Sequence, residues 1–211
     1  MTVLVVGANG ATGRWLVEEL LHCGENVRAV VRSPEKISSN IRNHTKLTII
    51  HASILDLSDA EMAEHARGCD AVASCLGHNL TFKGIFGPPR RLCNAIRTNK
   101  PRTPIKFVLM NTVGNRNRDL NEKISLGQKI VILLLRLLVP PQPDNEKAAD
   151  YLRVKVGQSD SLIEWAAVRP DSLINEEKVS EYELYASPIR TIFNPAKTSR
   201  INVAHFMAEL I

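Results

Sequence analysis

Two rhythms of apolar and polar positions run along this chain from its first residues. Val3–Val6 is a short aliphatic run suited to a strand buried on both faces of a parallel sheet. Gly13, Leu16, Val17, Leu20 and Leu21 then fall at i, i+3, i+4, i+7 and i+8, one stripe of a helix, and Gly24 stops it. Further strands are predicted at Val27–Val31, Leu47–Ile50, Ala71–Cys75, Ile105–Met110 and Trp165–Arg169, the last ended by Pro170. Ser58 and Glu61 form a capping box, each able to satisfy a free N–H at a helix start, and the short helix they open closes at Gly68. The helix after Pro89 carries Leu92, Ala95 and Ile96 inward. A final helix, Val203–Ile211, is still running where the sequence stops, which leaves open whether the natural chain goes further.

Alternation at this spacing predicts an α/β fold, a doubly wound parallel sheet of the Rossmann type. It reads as one domain over residues 1–211. The stretch from Asn115 to Asp144 departs most from the pattern and is expected to be an insertion over the C-terminal edge of the sheet, where such folds bind ligands.

Composition narrows the partners. A net charge of +5 favours an anionic cofactor or substrate, and aromatic residues at 5% are too few for a base-stacking nucleic-acid surface. The densest basic cluster, Arg90, Arg91, Arg97, Lys100 and Arg102, is expected to be a solvated helix face and loop. Cys23, Cys69, Cys75 and Cys93 form no C-x-x-C pair, so reduced thiols in a cytoplasmic protein are expected and a metal site is not. The start of the chain lacks a basic signal region. Ile130–Val139 is apolar but interrupted by Arg136, and its ten residues fall short of the roughly 20 that span a bilayer. A buried helix, a homodimer contact, a protein partner and peripheral membrane attachment stay open for it.

The strongest chemical signal is Gly7-Ala8-Asn9-Gly10-Ala11-Thr12-Gly13, with strand before it and helix after. A tight turn, a backbone close to a pyrophosphate and a helix packed hard on a strand each leave no room for a Cβ. The N–H groups near Thr12 and Gly13 then meet the phosphates at the positive end of the helix. At the end of the second strand stands Arg32, with Ser33 and Lys36 close behind. A carboxylate there would bond a ribose 2′-hydroxyl, whereas cations pair with a 2′-phosphate. NADP(H) is therefore the expected cofactor.

These residues, together with Val30-Val31-Arg32-Ser33-Pro34, Gly68-Cys69-Asp70-Ala71-Val72, Cys75-Leu76-Gly77, Val168-Arg169-Pro170 and Ser199–Phe206, resemble the atypical short-chain dehydrogenase/reductases. Within them the chain is similar to the NAD(P)H-binding group that includes flavin reductase/biliverdin IX-beta reductase and the NmrA-like regulators. The resemblance implies that Thr12, Gly13 and Arg14 lie at the pyrophosphate, and Arg32 with Lys36 at the 2′-phosphate. It places Ser53 and Ile54 by the adenine, where Ala52-Ser53 replaces the family's frequent Gly-Asp. Cys75, Leu76 and Gly77 would line the ribose and nicotinamide side, and Asn111, Thr112 and Pro170 would approach the ring.

The wider family also implies a Tyr and a Lys one helical turn apart, with a hydroxyl after the fifth strand. Tyr151, Lys155 and Thr112 are the candidates here. A second alignment puts Asp144-Asn145-Glu146-Lys147 on the active-site helix and leaves no tyrosine. His78, on the loop after Gly77, is either a donor to substrate or a solvated side chain, and Cys75 is read as packing.

The leading expectation is an NADPH-dependent oxidoreductase acting on a small conjugated or carbonyl substrate. The alternative is a non-catalytic NADP(H)-binding regulator that senses redox state and binds a protein. An epimerase or dehydratase using bound NAD is disfavoured by Arg32.

Overall fold

The structure, a computed structural model, describes residues 1–76, 87–112, 115, 117, 119–120, 122, 127, 141–190 and 193–211. Gly77, His78, the Ile130–Val139 segment and most of the expected insertion lie outside the described residues.

Six parallel strands form the main sheet: β1 (Thr2–Val6), β2 (Asn26–Val31), β3 (Leu47–His51), β4 (Ala71–Ser74), β5 (Ile105–Met110) and β6 (Ile163–Val168). Their order is β3-β2-β1-β4-β5-β6, every neighbouring pair parallel. The chain winds outward from β1 to β3, returns to lay β4 against the free side of β1, and winds outward again. The strand order therefore reverses between β1 and β4, and the ends of those two strands flank the crevice in which such sheets bind ligands.

Side chains of successive strand residues point to opposite faces, and the core divides accordingly. On one face Val3, Val5, Ala29, Val31, Ala71 and Ala73 meet α1 (Gly13–His22) and the C-terminal helix, which spans Arg200–Leu210. On the other, Leu4, Val6, Val72, Phe107 and Leu109 meet α3 (Asp59–Ala66), α4 (Gly87–Asn99) and α5 (Pro141–Tyr151). The C-terminal helix is thus α6, and the single turn Ser39–Arg42 is α2. Helices on both faces make the sheet doubly wound.

The buried residues of α1 are Gly13, Leu16, Val17, Leu20 and Leu21, the stripe expected from periodicity. Ser58 and Glu61 form the expected capping box, with both reciprocal bonds present. Several elements differ from expectation. Helix α4 starts at Gly87, ahead of Pro89, because a first helical turn has no internal partner for its N–H groups and tolerates proline. Strand β6 starts at Ile163, where the Asp160 carboxylate accepts from the Leu162 and Ile163 N–H groups and turns the chain into the sheet. A small second sheet pairs β7 (Ser172–Ile174) with β8 (Lys197–Ser199). Three residues per strand are too few to show a period of two.

The basic cluster on α4 is not wholly solvated. Arg90, Lys100 and Arg102 are exposed. Arg91, however, pairs with Asp59 at 2.7 Å and donates to the Ile54 and Leu57 carbonyls, and Arg97 pairs with Asp160 at 2.6 Å. No helix among the described residues is long and apolar enough to cross a membrane.

Candidate functional site

The turn after β1 is built against the end of β4. Gly7 has φ +76°, and a Cβ there would lie 2.5 Å from the Cys75 carbonyl oxygen. Gly13 opens α1 directly over the Gly7 carbonyl, so a Cβ on Gly13 would overlap that oxygen and its carbon. The Gly10 N–H donates to the Gly7 carbonyl at 2.8 Å, and the Arg14 N–H reaches back to Gly10 at 3.1 Å. Thr12 caps the helix with its backbone rather than its hydroxyl and is 3% exposed. Among the described residues, the N–H groups of Ala11, Thr12 and Gly13 donate to no other backbone group. Three unused donors at a positive helix end, behind a turn that a methyl group would fill, fit a pyrophosphate.

Asn9 ties this turn to the next strand. Its Nδ2 donates to the Ser33 carbonyl at 2.6 Å, so the phosphate turn and the segment following β2 hold each other in place. Between them lies a cleft of about 720 Å³ whose lining includes Asn9, Arg14, Lys36, Trp15 and Ser38. The Arg14 guanidinium lies 5.0 Å over the Trp15 ring. Lys36 and Arg32 are both exposed and belong to no ion pair among the described residues. Arg32 does not line the cleft; it stands at the end of β2, where His51 Nε2 lies 3.2 Å from its carbonyl. The sequence pattern does not single out Trp15 or Ser38. Trp15 follows Arg14 directly on the helix, which is the signal that could have found it.

The remaining expected positions are spread along the same C-terminal edge. Ile54 is buried, and the Ser53 carbonyl accepts from the Asp56 and Leu57 N–H groups in the turn after β3. Cys75 is 2% exposed with its Sγ 3.9 Å from the Met207 sulfur, and Leu76 packs partly buried against the core. Burial pushes the Cys75 thiol from 9.0 up to about 12, and Cys93 likewise, so both are neutral packing groups. Asn111 continues the ladder by donating its N–H to the Val168 carbonyl at 2.8 Å. Its Oδ1 accepts from the Thr112 N–H and the Asn115 side-chain amide. Pro170 is buried and lines a second, larger cleft of about 1130 Å³ beside β6.

The thiols carry a pH signature. Their folded pKa lies above the unfolded value, so the unfolded chain binds fewer protons once pH exceeds about 9, and stability falls from there toward 12. Raising pH from 8 to 10 should cost about 1.4 kcal/mol per thiol. Denaturant melts of the wild type and Cys75→Ala would show it as a shallower alkaline loss in the variant; equal losses would refute it.

Tyr151 and Lys155 are not brought to this edge. Tyr151 is the last residue of α5, and the chain continues through Leu152–Val156 as a wider i→i+5 turn, closed by Gly157 N–H to the Leu152 carbonyl at 2.8 Å. Lys155 lies within that turn and is exposed. The Tyr151 hydroxyl lies 3.4 Å from Arg97 and from Asn94. Arg97 in turn holds Asp160 at the start of β6, the opposite end of the strands from the glycine turn. Burial pushes the Tyr151 phenol up, with Cys93 adding to this and Arg97 opposing it. A lysine-activated phenol would move the other way.

Sequence reasoning missed the polar network behind Asn111. The Arg169 side chain forms a two-point ion pair with Glu122, at 2.6 and 3.2 Å, and donates to the Asn115 carbonyl at 2.8 Å. Among the described residues no cluster of three His, Cys, Asp or Glu side chains is placed to hold a metal.

Against known proteins, the model of a family described as NAD(P)H-binding matches residues 7–211. Dihydroflavonol 4-reductase of Zea mays is 40% identical over 78 residues, 36% of this chain and 21% of that protein. A chloroplastic protein of Arabidopsis thaliana is 27% identical over 180 residues, 82% of this chain and 60% of that protein. The chain therefore spans less than two thirds of either relative. The oxidoreductase ylbE of Lactococcus lactis has a similar structure, with a TM-score of 0.73, 19% identity, and coverage of 100% of this chain and 84% of that one.

Proposed function

The chain belongs to the NAD(P)H-binding family, and from that premise we propose that it takes NADPH and passes hydride to a small conjugated or carbonyl acceptor. The observation that carries this reading is the trio of unused N–H donors at Ala11–Gly13 behind a turn closed to any Cβ. Lys36 lines the adjoining cleft with Asn9, and Arg32 is exposed just before the Ser33 that Asn9 holds; two such cations suit a 2′-phosphate through charge-assisted bonds. The maize relative's name, a reductase, supports an oxidoreductase.

Bound NADPH supplies the hydride. The protein's own residues hold and orient it. The Ala11–Gly13 N–H groups bind the pyrophosphate, and Arg32 with Lys36 binds the 2′-phosphate. Ser53 and Ile54 border the adenine, and Cys75, Leu76, Asn111 and Pro170 shape the nicotinamide side. We assign Thr112, at the end of β5, as the donor to an acceptor carbonyl. A conjugated acceptor takes its proton from water, so no tyrosine is required.

Calorimetric titration is expected to show NADPH binding at least tenfold more tightly than NADH, about 1.4 kcal/mol, with NADPH oxidation on a panel of quinones, flavins and carbonyl compounds. Absence of binding by either coenzyme would overturn the reading. The position of Tyr151 at the far end of the strands favours one alternative, a redox-sensing regulator that keeps NADP(H) bound. NADPH binding with no turnover on the whole panel would select it.

A further inference from the structure

We propose that Arg169 is a positioning residue for the acceptor, an assignment that rests on the hydride-transfer reading above. It follows directly on β6, and its guanidinium joins three separate walls of the large cleft. One N–H group donates to the Asn115 carbonyl at 2.8 Å and to Glu122 Oε2 at 3.2 Å. The other donates to Glu122 Oε1 at 2.6 Å and to the Ala186 carbonyl at 3.5 Å. Asn115, Arg169 and Ala186 all line that cleft.

The connection runs on to the nicotinamide side. Glu122 Oε2 also accepts from the Asn117 N–H at 2.8 Å, so the ion pair grips the segment after β5 at both Asn115 and Asn117. Asn115, 2% exposed, passes this to Asn111 by donating its side-chain amide to Asn111 Oδ1. Asn111 in turn is anchored to Val168, the residue before Arg169. The loop is therefore closed from Arg169 through Asn115 and Asn111 back to the end of β6.

The Arg169 and Glu122 side chains are 14% and 8% exposed. A pair this buried adds little net stability over a packed apolar pair, and its value lies in fixed geometry. Only a planar fork holds two carboxylate oxygens and two carbonyls at once; an ammonium presents one charged point.

The test uses full-length protein saturated with NADPH, comparing wild type with Arg169→Lys and Arg169→Gln. Both variants should keep NADPH affinity within twofold. Acceptor kcat/KM should fall by about ten- to a hundredfold, the range a displacement of about 1 Å produces, with most of the loss in KM. Amide exchange at Asn115 and Asn117 should quicken tenfold or more in Arg169→Gln, with Gly7–Gly13 unchanged. Arg169→Lys should recover the melting temperature without recovering kcat/KM, a split that a merely structural role does not produce. The proposal is overturned if Arg169→Lys matches wild type on the acceptor, or if NADPH affinity falls in parallel with turnover. If the wild type binds NADPH but reduces nothing, the hydride-transfer reading fails, and the acceptor role of Arg169 with it. Exchange then judges the clamp alone, and unchanged rates at Asn115 and Asn117 in Arg169→Gln refute that too.

Discussion

Gly13→Ala should weaken coenzyme binding by about a hundredfold or more while leaving a folded protein. The added methyl would overlap the Gly7 carbonyl, and both colliding groups belong to fixed backbone, so no rotamer change relieves the clash. The start of α1 must lift from the end of β1. That movement carries the Ala11, Thr12 and Gly13 N–H groups away from the pyrophosphate. Hydrogen bonds to a charged partner contribute about 1.5–3 kcal/mol each, so losing two of them weakens NADPH by about a hundredfold or more. The comparison is Gly68→Ala. Gly68 has φ +68°, and a Cβ there would meet nothing within 4 Å, so this variant should lose about 1 kcal/mol of stability and no affinity. Calorimetry with NADPH and thermal melts by circular dichroism measure both effects. An affinity for Gly13→Ala within threefold of wild type would refute the assigned role of the turn.

Arg32→Asp should invert the choice of coenzyme. Arg32 is exposed at the end of β2 and engaged in no ion pair among the described residues, so removing it leaves no buried charge behind. A carboxylate in its place repels a 2′-phosphate and accepts from a 2′-hydroxyl. Loss of one charge-assisted bond, about 1.5–3 kcal/mol, corresponds to roughly a ten- to a hundredfold fall in NADPH affinity, with NADH unchanged or improved. Raising the salt concentration should narrow the wild-type preference, because exposed charges are screened. A ratio of the two dissociation constants that does not move in Arg32→Asp would remove Arg32 from the phosphate subsite.

What the amino-acid order disclosed, and what it concealed, follows from the range of the interactions. The β1–turn–α1 unit is local: Gly7, Gly10 and Gly13 act on one another within seven residues, and the buried stripe of α1 repeats at helical spacing. Strand order was legible at the level of class because apolar runs and helices alternate. For Tyr151 and Lys155 a spacing of four says how two side chains lie on one helix and nothing of which end of the strands they face; that is set by Arg97, which meets Tyr151 and Asp160 from a distant element. Arg169 and Glu122 stand 47 positions apart and lie in no periodic pattern, so nothing in the one-dimensional order joins them. Arg91 and Arg97 looked like members of a solvated run because the acids that claim them, Asp59 and Asp160, come from distant elements.

The amide of Asn9, seated on the Ser33 carbonyl, makes grip and selectivity a single mechanical unit. A lineage that altered the turn to hold its dinucleotide differently would drag the discriminating strand end with it. Retuning this scaffold from one pool of reducing equivalents to another is therefore open to a side chain that leaves this bond in place, as at Arg32, and closed to changes that shift the backbone on either side of it.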